Sequence, residues 1–215
     1  MVIRELGLID YGTTWTRMRE FTDARGPETP DELWSLQHPP VFTLGLGGSP
    51  AHVLAAGDIP VIKCDRGGQV TYHGPGQLVV YLMLDLKRLG LGPRELVRRL
   101  ESAVISVLGA LNLTGERREG APGVYVGAAK IAALGLRVRR QCSYHGISLN
   151  VSNDLEPFAR INPCGYAGMP VTSLTALGHG VDVAGVTPAL IQALQDALGL
   201  AEITAGMMPA ISNSG

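Results

Sequence analysis

Apolar residues form an almost unbroken run from position 78 to 86, Leu-Val-Val-Tyr-Leu-Met-Leu-Asp-Leu, bounded by turn-forming residues. Such a run predicts a strand buried on both faces, although periodicity alone leaves a buried helix open. Shorter apolar stretches predict further strands at 1–8, 41–46 and 60–63. Residues 122–127 and 132–138 read as strands flanking Lys130, and residues 146–151 alternate Ile147, Leu149 and Val151 in the two-residue period of a strand. Helical spacing is clearest at 93–111, where Leu96, Val97, Leu100, Val104, Val107, Leu108 and Leu111 recur on one side and Arg94, Arg98 and Arg99 lie on the other. Pro93 suits a first helical turn.

A second helix is expected at 11–25, with Trp15, Met18 and Thr22 on one side, and a terminal one beginning at Thr187-Pro188, with Leu190, Ile191, Leu194 and Leu198 buried. Prolines interrupt the pattern at 26–31 and at His38-Pro39-Pro40. Residues 32–37 fit a short strand or helix, and 153–161 a short helix or irregular loop. Several strands with irregularly inserted helices imply an α+β, or mixed α/β, domain rather than a regular βαβ repeat. That domain is expected to span 1–200. The apolar rhythm fades beyond Leu200, so 201–215 is expected to form a disordered tail.

Between the strands at 60–63 and 78–86 lies the densest chemistry of the chain. Residues 65–77 read Asp-Arg-Gly-Gly-Gln-Val-Thr-Tyr-His-Gly-Pro-Gly-Gln. Glycines interleaved with so many polar side chains suit a loop that wraps a ligand. A tight hairpin with ordinary turn residues remains the plain alternative. The glycines follow neither the phosphate-loop nor the dinucleotide pattern.

The chain's 215 residues are 46% hydrophobic, enough for a substantial core, and its formal net charge of −1 provides no field to draw it to nucleic acid or membrane. Aromatic residues are few, which weakens a base-stacking role. No apolar run reaches the length of a membrane span. The first ten residues include acidic side chains and lack the apolar core of a signal peptide, so the expected location is cytoplasmic.

The three cysteines, Cys64, Cys142 and Cys164, are too sparse for a disulfide framework. Cys164 stands between Pro163 and Gly165, which places its thiol on a bent loop. Cys64 and Cys142 fit the usual reading of a buried, inert cysteine. A nucleophilic thiol needs a base or cation beside it. Lys130, among small and apolar residues, is one candidate, since desolvation improves a lysine as proton acceptor. His73 and His145 are others. Cys142 and His145 sit three apart, but no paired-cysteine or His-Glu-x-x-His spacing supports a metal.

Taken together, these segments resemble one family. Residues 66–77, then Pro122-Gly123-Val124-Tyr125-Val126-Gly127 leading to Lys130-Ile131-Ala132, then Ser143-Tyr144-His145-Gly146, then Asn162-Pro163-Cys164-Gly165 occur in the order and with the gaps of the bacterial lipoate-biosynthesis octanoyltransferases, the LipB family. The resemblance spans roughly 33–172. It implies a single domain like the catalytic domain of biotin and lipoate protein ligases, a mixed sheet packed with helices.

It also implies an acyltransferase that moves an octanoyl group from acyl carrier protein to a lysine of a lipoyl domain. Targets would be the 2-oxoacid dehydrogenase E2 subunits and the glycine cleavage H protein. By motif, Cys164 takes the family's acyl-thioester position, and Lys130 that of the lysine promoting its ionisation. The substrate-binding positions become Arg66, Gly67, Gly68, Gln69, Val70, Thr71, Tyr72 and His73, then Ala133, Leu134 and Gly135, then Gly146, Ile147 and Ser148. A thioester donor is already activated, so neither ATP nor another cofactor is required.

The arginines at 94, 98 and 99 and at 117, 118, 137, 139 and 140 would offer local basic surface to acidic partner proteins, or simply a solvated face. Three other readings predict different behaviour. A ligase of the same fold would need ATP and lack the loop cysteine. A cysteine hydrolase would pass the acyl group to water. A binding protein would survive loss of Cys164.

Overall fold

The structure, a computed structural model, describes residues 1–163 and 168–200. Its centre is β6 (Gln77–Met83), all of whose residues are buried. Leu78, Val80 and Leu82 enter one apolar core, while Val79, Tyr81 and Met83 enter another. The continuous apolar run therefore marks a strand covered on both faces, as expected.

Around it lies a six-stranded mixed sheet. The remaining strands are β1 (Val2–Leu8), β2 (Glu32–Gln37), β7 (Val124–Val126), β8 (Ala129–Arg139) and β9 (Cys142–Asn150), and the spatial order is β1-β2-β6-β9-β8-β7. Only β1 and β2 run parallel, which requires a crossover between them. Helix α1 (Tyr11–Ala24) is that crossover, opened by Asp10 accepting a hydrogen bond from the Thr13 amide at 2.8 Å. It covers one face through Met18, with Trp15 and Phe21 alongside. Helices α2 (Pro93–Ala110) and α3 (Val183–Leu198) cover the other through Leu96, Leu100, Val104, Leu190 and Leu194.

A smaller sheet, ordered β4 (Val61–Lys63), β3 (Val41–Leu44), β5 (Val70–His73), stands beside the large one. Its core joins Phe42, Leu44, Val70 and Tyr72 to Phe158 and Ile161, around a 3-10 turn at Glu156–Arg160.

Four expectations need correction. The 65–77 stretch is not one continuous loop. Residues Val70–His73 form β5, paired antiparallel with β3, and the flanking β4 and β6 belong to different sheets. Lys130 does not separate two strands but lies inside β8, whose pairing with β7 begins at Ala129. β9 starts at Cys142 rather than 146, because Arg140 (φ 49°) and Gln141 (φ 61°) form a hairpin turn between Arg139 and Cys142. Positive φ at both central positions is the twist a two-residue hairpin demands, usually supplied by Asn-Gly. Finally, α3 begins at Val183, where Asp182 accepts from the Gly185 amide at 2.8 Å, and Pro188 falls inside it.

Candidate active site

The residues of the glycine-rich stretch reach the large sheet through backbone contacts. The Gly67 amide donates to the Leu136 carbonyl of β8 at 2.9 Å, and the Leu46 amide donates to the Arg66 carbonyl at 2.9 Å. Arg66 is buried and runs back under this loop. Its Nε donates to Thr43 Oγ1 at 3.1 Å, one terminal nitrogen to the Thr43 carbonyl at 2.6 Å and the other to the Gly67 carbonyl at 2.9 Å. The side chain thus works as a strut for the loop.

Between the strapped loop and the face of β6, β9 and β8 lies a cavity of about 360 Å³, within the range of small-molecule sites. Residues 66–71, His73, Ala133, Leu134, Gly135, Gly146, Ile147 and Ser148 all line it, with Val79 and Ala132 adding apolar surface. Tyr72 is the one expected binding residue that does not. Strand alternation turns it into the small-sheet core, with its ring 5.6 Å from Phe42 and 5.5 Å from Phe158.

Lys130 lines the same cavity and is buried. Its Nζ donates to the Pro122 carbonyl at 3.0 Å and lies 5.2 Å from the centre of the Tyr125 ring. Its backbone amide donates to the Pro170 carbonyl at 2.8 Å, and its carbonyl accepts from the Thr172 amide at 3.0 Å. Cys164 lies outside the described residues. Pro163, immediately before it, lines the cavity together with Lys130 and Val171.

The histidines are committed elsewhere. His73 Nδ1 donates to Gln77 Oε1 at 2.6 Å, and burial, with His38 nearby, lowers its pKa to about 3. Gln77 in turn donates to Asn150 Oδ1 at 2.9 Å. His145, at positive φ (61°), reaches Asp65 Oδ1 with Nε2 at 2.9 Å. Burial outweighs the Asp65 contact and holds the His145 pKa below its usual value, so the pair is a neutral imidazole donating to a carboxylate.

Burial opposes ionisation of Asp65 as well. Hydrogen bonds from His145, Tyr144 and Trp15 prevail and keep this carboxyl well below the usual range. Among the described residues, His145 Nδ1 has no hydrogen-bond partner. Cys64 and Cys142 are buried, and among the described residues no group of three or more His, Cys, Asp or Glu could hold a metal.

The basic surface is partly neutralised. Arg98 and Arg99 pair with Glu95, Arg117 with Glu101 and Arg139 with Asp23. Sequence reasoning missed Asp65 as an anchor, although it heads the glycine-rich stretch. It also missed Glu101, whose signal is an acidic residue beside Leu100 on the apolar side of α2.

Comparison with known proteins matches the family model of the lipoyl protein ligase A/B catalytic domain to residues 10–195. An octanoyltransferase of Xanthomonas campestris pv. campestris (strain B100) is 56% identical, covering 98% of this chain and 90% of the relative. One of Laribacter hongkongensis is 56% identical over 92% of this chain and 96% of that relative. Among solved structures, a putative lipoate protein ligase from T. acidophilum superposes with a TM-score of 0.72 at 17% identity, covering 93% of this chain and 86% of that one. A biotin protein ligase from Aquifex aeolicus, in complex with biotin and ATP, gives 0.56 at 12% identity over 93% and 69%. These bear out the expected mixed α/β, ligase-like fold.

Proposed function

Because the chain belongs to the lipoyl protein ligase A/B catalytic domain family, among its octanoyltransferases, we propose that it carries an octanoyl group from acyl carrier protein through Cys164 to a lysine of a lipoyl domain. The observation that carries this reading is the shared rim of the cavity. Lys130 and Pro163, the residue before Cys164, border one apolar-lined space. Three residue-to-residue steps along a strand span about 10 Å, the scale of an extended eight-carbon chain. Residues 130–133 of β8 supply such a length, with Ala132 and Ala133 in the lining.

The chemistry balances without an energy source. The Cys164 thiol gives its proton to Lys130, and the thiolate attacks the donor carbonyl. A new C–S bond forms as the pantetheine C–S bond breaks, and the carrier leaves as a thiol. The target lysine amine then attacks the acyl-cysteine, forming the amide and returning the thiol. Thioester exchange is nearly thermoneutral, and aminolysis runs downhill.

The proposed partners are octanoyl-acyl carrier protein and the lipoyl domains of E2 subunits and the glycine cleavage H protein, in the cytoplasm. No helix among the described residues is long and apolar enough to cross a membrane.

The test is intact-protein mass spectrometry after mixing with octanoyl-acyl carrier protein and no ATP. A hydroxylamine-labile octanoyl adduct, absent in Cys164→Ser and passed to an added lipoyl domain, is expected. A folded protein giving neither adduct nor transfer overturns the mechanism, and transfer only from free octanoate with ATP makes the protein a ligase.

A further inference from the structure

Glu101 is a carboxylate buried on the apolar side of α2, 6% exposed, between Leu100 and Ala103. Burying a carboxylate is costly unless it is hydrogen-bonded and paired. One oxygen, Oε1, accepts from the Gly123 amide at 3.0 Å, and the other, Oε2, meets Arg117 Nε at 3.1 Å. The Gly123 amide and the Pro122 carbonyl are the two ends of one peptide group. Its carbonyl end accepts a hydrogen bond from Lys130 Nζ at 3.0 Å. A carboxylate oxygen therefore accepts at the N–H end of this peptide, and Lys130 Nζ donates at the C=O end. Hydrogen bonds in such a chain polarise and strengthen one another.

Gly123 makes the alignment conditional. Its φ of 140° favours glycine, and a Cβ there would fall 2.9 Å from Lys130 Cε and 2.7 Å from the Ala132 carbonyl oxygen. A peptide preceding glycine turns over easily. Something outside the turn must hold its orientation.

We propose that Glu101 is a positioning residue for the transfer reaction: through the Pro122–Gly123 peptide it sets where Lys130 Nζ stands in the cavity. Glu101 touches neither substrate nor reacting atoms. The inference rests on the reading of Lys130 as the group that handles the thiol proton.

The test compares Glu101→Leu, Glu101→Gln and Arg117→Ala with the parent protein, measuring kcat, KM for octanoyl-acyl carrier protein and the pH profile of kcat. Glu101→Leu leaves the Gly123 amide without its acceptor. We expect kcat to fall about 10- to 100-fold, the scale of a misplaced catalytic group, with KM within about twofold and a pH profile of changed shape. Glu101→Gln keeps an acceptor but loses the charge, and is expected to recover kcat to within about tenfold of the parent, while still falling about threefold below it. Arg117→Ala removes the outer ion pair but leaves the Glu101 oxygen on the Gly123 amide, and is expected to lower kcat less than Glu101→Gln does.

If Glu101→Leu does not fold, Glu101→Gln and Arg117→Ala decide. Glu101→Gln no slower than Arg117→Ala overturns the proposal, as does a folded Glu101→Leu with parental kcat and pH profile. Should Lys130→Ala transfer the octanoyl group normally, the underlying reading of Lys130 falls instead.

Discussion

Acidification should destabilise this protein through histidines buried in the neutral form, and His38 allows the effect to be worked out. It is fully buried. Nδ1 lies 2.7 Å from the Ile9 carbonyl, which can only accept, so Nδ1 carries the proton. Nε2 then accepts from the Tyr81 hydroxyl at 2.7 Å. Burial lowers the His38 pKa from 6.5 to about 4, against the opposing Ile9 hydrogen bond and Asp10 charge.

Between those two values the unfolded chain binds a proton that the folded one refuses. The stabilising contribution is therefore complete above about pH 6.5 and is lost as the pH falls toward about 4. Linkage gives a loss of about 2 kcal/mol between about pH 7.5 and pH 5 from His38 alone. His73, held at about 3 by burial, adds about 2 kcal/mol more over the same window. The Asp65 contribution has the same sign but lies lower. Its carboxyl is depressed, so it is lost only as the pH falls below the unfolded carboxylate range near about 4.

The assay is urea unfolding followed by the fluorescence of Trp34, which lies in the core beside Met18, at a series of pH values. His38→Asn keeps a donor toward the Ile9 carbonyl but cannot titrate. It should be weaker at neutral pH, because the Tyr81 hydroxyl loses its acceptor, yet its stability should fall about 2 kcal/mol less between about pH 7.5 and pH 5. A pH dependence equal to that of the parent protein would refute the neutral, buried assignment.

Three further outcomes are expected. Gly146→Ala places a Cβ 2.0 Å from the Val80 carbonyl oxygen, inside the β6–β9 pairing. It should cost at least about 3 kcal/mol and lower the melting temperature by about 6–12 °C, and a parental melting curve would contradict this. In Gly135→Val, the added Cβ comes 2.9 Å from Arg66 Cδ, which is pinned beneath the loop. Steady-state kinetics should show kcat/KM for octanoyl donors reduced at least about tenfold, with butanoyl donors less affected; an equal loss at every chain length argues against a blocked cavity. Asp65→Asn offers one carbonyl oxygen to the three donors Trp15, Tyr144 and His145, and should destabilise the protein by about 1–3 kcal/mol at neutral pH, read from chemical denaturation.

Local rhythm was enough to place α1 and α2, and an unbroken apolar run to mark where β6 lies though not to separate a strand from a buried helix, because both patterns are written in neighbouring residues. Residues of the motifs at 66–77 and 122–132, together with Pro163, line one cavity. What the motifs could not say is which side chains face it. Tyr72 leaves the cavity and His73 stays because β5 pairs with β3, and that pairing joins residues about thirty positions apart. Arg140 and Gln141 hold a hairpin turn that their own preferences do not announce, since the register of β8 and β9 imposes it.

Glu101 reads from sequence as a charge misplaced on an apolar helix. Only tertiary packing brings it the Gly123 amide and the Arg117 guanidinium. Sequence by itself determined where α1, α2 and β6 lie and which segments resemble the family's motifs. Tertiary structure decided where buried polar groups find their partners, because those partners lie far along the chain and meet only when the sheets close.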